Sequence, residues 1–401
     1  MPDHPLNPAI DLVSGAFWGR NPHDELRWLR EHAPVYWDGR VWGIAKYADV
    51  CEVSKHPELF CSGNGIRPDA DALPMMIDTD GEEHTRRRQL VYRGFTPRRL
   101  QAAVEPLTAI CTRIIDDVCE RGECDAVTDL AAWLPMHAIA DMLDFPEAER
   151  AALLEWSDAM LTTLVGVPDL DALARGTAAY ESFRGFAVQA IEQRRRNPGT
   201  DLVSLLVAGE VDGDEVNVEN VIHDALLILI GGDETTRHVI SGGLYQLLTH
   251  PEQKQALIDD PSRIPQAVEE MLRWVSPIKN MARTVVSDTE LGGQRLQAGQ
   301  KLLLLYPSAN RDAEVFDDPF RFDIARQPNN HIAFGLGTHF CLGNNLARLE
   351  LRCFFEQLLE RLPDIELVDD AEPAYRAANF VSGYEHMPVR FTPAPRRGVS
   401  R

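Results

Sequence analysis

The chain has 401 residues, 44% of them hydrophobic and 25% charged, with a formal charge of −22. That is ordinary globular usage, which excludes disordered and fibrous classes and supplies enough apolar material to enclose a cofactor within a large core. The acidic balance excludes general nucleic-acid binding and adhesion to anionic membranes.

The opening residues, MPDHPLNPAID, hold neither a basic region nor an apolar run, so no secretory leader is expected. The longest unbroken apolar stretch, Ala225 to Ile230, is far too short to span a bilayer, and no membrane anchor is expected. Seven cysteines (Cys51, Cys61, Cys111, Cys119, Cys124, Cys341 and Cys353) form no CxxC pair and no zinc-type spacing. That pattern fits a reducing cytoplasm better than a disulfide framework.

In chain order, Asn21 is placed to cap a helix that begins at Pro22 and continues through Asp24 to Arg30. Val35-Tyr36-Trp37 and Val41-Trp42-Gly43-Ile44 flank Asp38-Gly39, which predicts a β-hairpin over 35–44. Between His84 and Val104 there is no acidic residue, yet Arg86, Arg87, Arg88, Arg93, Arg98 and Arg99 all fall there. Such a run is either a solvated helix face or a landing site for an acidic partner or an anionic cofactor group.

Leu107, Ile110, Cys111, Ile114, Ile115 and Val118 then recur at three- and four-residue steps, the mark of one buried helix face. Cys111 on that stripe reads as core. Similar stripes run through 131–143, 180–194 and 346–362. A second hairpin is predicted over 285–306, turning at Gly292-Gly293, and 393–401 reads as a flexible tail. No repeat or linker divides the chain. The expectation is a single domain over 1–401, mainly α with small β-sheets.

Two segments carry chemistry. Leu226 to Ile230 leads into Gly231-Gly232-Asp233-Glu234-Thr235-Thr236. Two adjacent glycines inside a helix cost about 1 kcal/mol each relative to alanine, so a plain helix would not place them there, whereas one that opens a groove for a small ligand would. The Thr235 hydroxyl can bond the carbonyl of Gly231 four residues back and hold that distortion open. An acid beside an alcohol also suits proton delivery: one group takes protons from water, the other orients the transfer.

The second segment is Phe334-Gly335-Leu336-Gly337-Thr338-His339-Phe340-Cys341-Leu342-Gly343. Its three glycines let the backbone approach a flat cofactor and turn amide hydrogens back toward the sulfur. A helical pattern starts straight after Gly343, which sets Cys341 beside a helix N-terminus that favours an anion. A thiolate ligand raises electron density on iron and favours cleavage of the O–O bond.

This segment resembles the haem-binding loop of the cytochrome P450 family at every fixed position. The resemblance implies a helix-rich triangular prism with haem b held between the central and cysteine-side helices. It implies Cys341 as the axial ligand to the iron, Phe334 as its shield, and Gly343 within the cofactor loop. His84, Arg88, Arg283 and His339 match positions that pair with haem propionates, a role that suits the bidentate arginine fork. Glu234 and Thr235 match the family's acid and alcohol. Glu270 and Arg273 match a buried ion pair whose third member is Arg321 or Arg326.

The candidate substrate pocket is apolar: Ile66, Leu73, Met75, Met76 and Ile77, then Leu227, Ile230 and Gly231, then Ile278, Met281, Phe380 and Val381. No paired charges occur among them, which favours a large apolar substrate. Gly65-Ile66-Arg67-Pro68, Leu73 to Asp78, Cys119 to Asp125 and Ala378 to Gly383 are similar to actinobacterial steroid side-chain C26/C27 monooxygenases. Those enzymes oxidise the terminal methyl of cholesterol or cholest-4-en-3-one, and the sequence leaves open whether oxidation here stops at the alcohol or continues to the acid.

The resemblance is weakest at 1–20, 165–200 and 366–376. The implied partners are dioxygen, a small acidic iron–sulfur ferredoxin and its NAD(P)H-dependent reductase, with Arg86, Arg87, Arg93 and Arg98 pointing outward on the cysteine side. Other readings are a monooxygenase of a fatty acid or terpenoid, and a non-catalytic haem-thiolate gas sensor. The acid–alcohol pair tells against the sensor.

Overall fold

A helix of 32 residues, Val218–Thr249, is buried on nearly every side and organises the fold. The computed structural model describes residues 4–164, 170–209, 211–212, 215–369 and 371–398. Asn217 caps this central helix by accepting from the Asn220 amide at 3.2 Å. Around it pack the helices Trp133–Leu143, Leu170–Arg196, Leu202–Gly209, Ile264–Val275 and Asn344–Arg361. A helix covered on most sides is apolar over much of its surface, and Asp224, Glu234 and Arg237, charged side chains that it buries, are paired.

The predicted stripes fall on buried helix faces. Leu107, Ile110, Cys111, Ile114, Ile115 and Val118 are all buried along Pro97–Val118, which packs against Asn344–Arg361. The stripe over 180–194 belongs to the longer helix Leu170–Arg196, and that over 131–143 is Trp133–Leu143 preceded by a wider turn at Ala126–Ala131.

The main sheet has the order Val35–Trp37, Trp42–Ile44, Lys301–Leu304, Met281–Val285, Phe60–Cys61. The first hairpin forms with Trp37 opposite Trp42, so its connection is 38–41 rather than Asp38-Gly39 alone. Val41 joins the loop because the Asp38 carboxylate accepts its amide at 2.9 Å. The predicted 285–306 hairpin resolves into two nested pairs. Gly292-Gly293, with φ 54° and 77°, turns Thr289–Leu291 into Gln294–Leu296, while Met281–Val285 and Lys301–Leu304 pair inside the main sheet. The buried apolar strands go to the sheet and the more polar ones form the outer turn.

Two local expectations are corrected. The first of these helices spans His23–His32, with Pro22 at its cap and Asn21 in the left-handed region at φ 52°, which asparagine tolerates. The tail is fixed through 393–398: the Ala394 amide donates to the Cys119 carbonyl at 2.8 Å, and the Arg397 and Gly398 amides donate to the Asp116 carboxylate at 3.0 and 2.9 Å. Residues 399–401 lie outside the described residues.

The open choice in the ion-pair network closes on Arg326. Glu270 is fully buried and takes both Arg273 forks at 2.7 Å, Arg326 Nε at 3.1 and 3.2 Å, the Asp323 amide at 2.9 Å and Asn329 Nδ2 at 3.1 Å. Arg273 and Arg326 in turn donate to the carbonyls of Asn310, Pro319, Asp317 and Arg321. The Arg321 side chain itself is exposed and pairs with Asp323. This network fixes the chain that leads into the cysteine loop. Removing one partner of a buried pair strands the other charge, so Arg326→Ala is expected to lower unfolding free energy by about 3 kcal/mol or more. Arg321→Ala should change it by no more than about 0.5 kcal/mol. Urea unfolding of the two variants checks the ranking, and equal losses would return Arg321 to the network.

Candidate active site

The loop Phe334–Gly343 is pressed against the helix Tyr47–Lys55. At Gly337, φ is 71° and a Cβ would lie 2.2 Å from the Ser54 carbonyl oxygen, so no side chain fits. The Cys341 amide donates to the Phe334 carbonyl at 2.9 Å, closing the loop on itself. The amides of Gly343 and Asn344, at the start of the helix Asn344–Arg361, favour the Cys341 thiolate. Burial pushes the thiol pKa up, and those amides with Arg88 and Arg348 pull against it. The Arg348 guanidinium lies 4.6 Å above the Phe334 ring.

Cys341 opens into a cavity of about 790 Å³ bounded by the central and cysteine-side helices. Ile66, Leu73, Met75, Met76, Ile77, Leu227, Ile230, Gly231, Ile278, Met281, Phe380 and Val381 all line it, together with Phe334, Gly343 and Thr235. Gly231 keeps a groove open, since a Cβ there would meet nothing within 4 Å. Gly232 serves packing instead, because its Cβ would stand 3.0 Å from Ile139. The Thr235 hydroxyl donates to the Gly231 carbonyl at 2.8 Å.

His84, Arg88, Arg283 and His339 line the same cavity. The two imidazoles stand 4.1 Å apart between centroids, and His339 Nε2 is 3.6 Å from Asp80 Oδ1. Arg88 donates to the Phe340 carbonyl and Arg283 to that of Ala282 at 2.7 Å. Among the described residues neither arginine pairs with a carboxylate. Burial pushes the His84 pKa down to about 4, with His339 and Arg88 acting in the same direction. Burial likewise lowers His339. Of these four donors only His339 pairs with a carboxylate among the described residues, and a flat group bearing two carboxylates beside a thiolate ligand fits this set.

Glu234 is brought near the site but not into the cavity. It is fully buried behind the lining, where Arg376 Nη1 lies 3.0 Å away, His238 Nε2 3.3 Å away, and Arg237 in direct contact. Adjacent helix positions are turned by about 100°, so an acid next to an alcohol cannot share its face.

Arg87 corrects the expectation of an outward arginine. Its side chain is buried, bonded to Asp224 at 2.7 and 2.9 Å and to the Pro74 carbonyl at 2.8 Å, which pins the helix Gly81–Tyr92 to the central helix. Arg86 donates to the Gly209 carbonyl at 3.0 Å, and Arg93 and Arg98 are exposed.

Some lining residues were missed by sequence reading. Glu350, on the cysteine-side helix, lines the cavity with its pKa raised to about 8 by burial, against a hydrogen bond from Thr236. A signal existed: Leu346, Glu350 and Phe354 step by four, placing an acid on an apolar stripe. Met160, Thr163, Leu173, Gly176, Thr177 and Tyr180 form the roof from Arg150–Leu161, Thr162–Leu164 and Leu170–Arg196. Residues 165–169, within the stretch of weakest resemblance, lie outside the described residues.

A family model described as "Cytochrome P450" matches residues 170–372. The chain is 48% identical to a steroid C26-monooxygenase of Mycolicibacterium smegmatis, over 96% of this chain and 97% of that one. It is also 48% identical to one of Mycobacterium tuberculosis, over 98% and 99%. Among solved structures, the Mycobacterium marinum cytochrome P450 CYP268A2 in complex with pseudoionone superposes with a TM-score of 0.89 at 35% identity, covering 96% of this chain and 99% of that one.

The buried carboxyl of Glu350 makes stability depend on pH. In the unfolded chain it ionises near pH 4.3, while in the fold it keeps its proton to about 8. Stability therefore falls as pH rises through the unfolded value, and the fall ends once the folded value is passed. Glu350→Gln should shrink the difference in urea midpoint between about pH 5 and about pH 8. An unchanged difference would mean that Glu350 is ionised in the native protein.

Proposed function

The chain belongs to the cytochrome P450 family of haem-thiolate monooxygenases, and from that premise we propose that it hydroxylates the terminal C26 or C27 methyl of a sterol side chain, with cholesterol or cholest-4-en-3-one as substrate. The observation that carries this reading is the cavity: large and mainly apolar above, with Arg88 and Arg283, free of carboxylate partners among the described residues, at the floor, in a chain 48% identical to steroid C26-monooxygenases along nearly its whole length.

Haem b, when bound, supplies the iron at which dioxygen is activated. Cys341 would hold the iron through its sulfur, with the Gly343 and Asn344 amides favouring the thiolate. His84, Arg88, Arg283 and His339 take the two propionates, and Phe334 covers the sulfur. Gly231 leaves room for a diatomic ligand, and Thr235, fixed to the Gly231 carbonyl, orients proton transfer at its hydroxyl oxygen. Glu234 reaches protons only by leaving Arg237, Arg376 or His238, so it works as a relay behind Thr235. Ile278, Met281, Phe380 and Val381 hold the side-chain end of the substrate and exclude water; Ile278 and Val381 are joined by an antiparallel backbone bridge.

Electrons come from a small acidic iron–sulfur ferredoxin, reduced by an NAD(P)H-dependent reductase in the cytoplasm. Among the described residues no helix is long and apolar enough to cross a membrane. With Arg87 buried, the expected docking arginines that remain exposed are Arg86, Arg93 and Arg98, of which Arg86 is tied to the Gly209 carbonyl.

Three measurements test the proposal. Cholest-4-en-3-one should shift the holoenzyme from low to high spin in an absorption titration and give a C26 or C27 alcohol with ferredoxin, reductase and dioxygen. No shift with any sterol would remove the substrate reading. Thr235→Ala should lower product formed per reductant consumed by at least about tenfold while consumption continues, the loss expected of a proton-transfer group; full coupling would exclude this role. Reversing Arg93 and Arg98 to Glu should slow iron reduction several-fold at low salt without altering sterol affinity. Unchanged reduction would place the docking surface elsewhere.

A further inference from the structure

One polar pair interrupts the apolar upper part of the cavity. Tyr180, on the helix Leu170–Arg196, and His223, on the central helix, both line it, and the Tyr180 hydroxyl lies 3.2 Å from His223 Nε2. His223 is buried, and its Nδ1 lies 2.9 Å from the Glu219 carbonyl oxygen, a contact that requires the hydrogen on Nδ1. Nε2 is then the acceptor and Tyr180 the donor, so the Tyr180 oxygen keeps its accepting lone pairs, which the Arg184 guanidinium also approaches.

The other polar groups lining this part of the cavity differ in setting: Asp71 is exposed, and the rest are bonded within the protein. Thr163 donates its hydroxyl to the Met160 carbonyl at 2.6 Å and Thr177 to that of Leu173 at 2.9 Å, so each can still accept, but each is tied only to its own helical turn, whereas Tyr180 is held by a side chain of another helix. Arg67 is held by Asp78 at 3.1 Å, and Arg184 pairs with Glu219 beside the tyrosine. His223 precedes Thr235 by twelve positions on one helix, a rise of about 18 Å. That is the order of the distance between the ring-A oxygen of a sterol and the end of its extended side chain.

We propose that Tyr180, held by His223, is a specificity-determining residue that accepts a hydrogen bond from the 3-hydroxyl of a sterol whose side chain reaches Thr235. The inference rests on the sterol reading above and adds to it the group that recognises the ring end. A 3-ketone has no hydrogen to give, and would have to draw the tyrosine proton away from His223.

The test is a spin-state titration of the holoenzyme with cholesterol, cholest-4-en-3-one and cholest-5-ene, which lacks the oxygen. Wild type should bind cholesterol about five- to tenfold more tightly than cholest-5-ene, the effect of one hydrogen bond, with the ketone nearer the hydrocarbon. Tyr180→Phe, which removes one oxygen atom and should leave the Soret spectrum intact, should bind cholesterol and cholest-5-ene within about twofold of each other. His223→Leu should lose most of the discrimination by freeing the tyrosine. Equal binding of cholesterol and cholest-5-ene by wild type, a ketone bound as tightly as the alcohol, or discrimination retained in Tyr180→Phe would each overturn the inference while leaving the sterol reading intact. A failure of all three sterols to shift the spectrum would instead sink the sterol reading, and the inference with it.

Discussion

The structure is built around the difficulty of keeping a sulfur anion inside a protein. Burial alone pushes the Cys341 thiol toward its neutral form, and the fold opposes this with the Gly343 and Asn344 amides and the charges of Arg88 and Arg348. Backbone amides at a helix start are fixed dipoles that need no reorganisation when a metal–sulfur bond forms. Their value depends on position, so the loop has to be held. Gly337 admits the Ser54 carbonyl on one side, and on the other the Glu270–Arg273–Arg326 network ties down the chain from Asp317 to Asn329 before it enters the loop. A buried charge network is a weak source of stability in itself. Here it specifies a backbone path.

The central helix solves a second geometric problem by rotation. Thr235 faces the cavity while Glu234, one position earlier, is turned into a cluster with Arg237, His238 and Arg376. A carboxylate in the cavity beside a cationic floor would pair with it and compete for the same donors. Set behind the helix, it lies close to the cavity without lining it. Arg376 lies just before Ala378 to Val381, whose last two residues line the cavity, so the substrate-facing segment and the buried acid share one guanidinium. The glycines divide the work similarly, Gly231 for space and Gly232 for packing on Ile139.

Much of this was legible in the sequence because it depends on short-range rules. Helix stripes, the turn at Gly292-Gly293, the Thr235–Gly231 bond and the cysteine at a helix start all follow from spacing within a few residues. What failed depends on partners distant in the chain. Arg87 looked like its neighbours, and only Asp224, from the central helix, makes it a buried strut. Arg321 and Arg326 could not be separated until the loop path showed which guanidinium reached Glu270. The tail looked free because Asp116, which receives its amides, sits nearly three hundred residues earlier. The roof was hidden for another reason: its residues serve no shared cofactor, so no common motif marks them.

The charge distribution links cofactor and substrate. In a chain of net charge −22, two arginines and two histidines gather at the floor of an apolar cavity, and burial lowers the pKa of both histidines and of Arg88. Such a cluster is unfavourable by itself and becomes favourable only when an anionic group stays bound to it. An anionic group at the floor would meet that requirement, and the upper walls, from Met75 and Met76 to Ile278 and Phe380, are left with hydrophobic contact as their main means of holding a ligand. Hydrophobic contact has no direction. A long neutral molecule held in this way could slide or reverse unless some polar group fixed one end, and selectivity for a terminal methyl over the chemically easier positions beside it demands that fixation. The cavity therefore needs a polar contact far from the iron to control which carbon lies close to it.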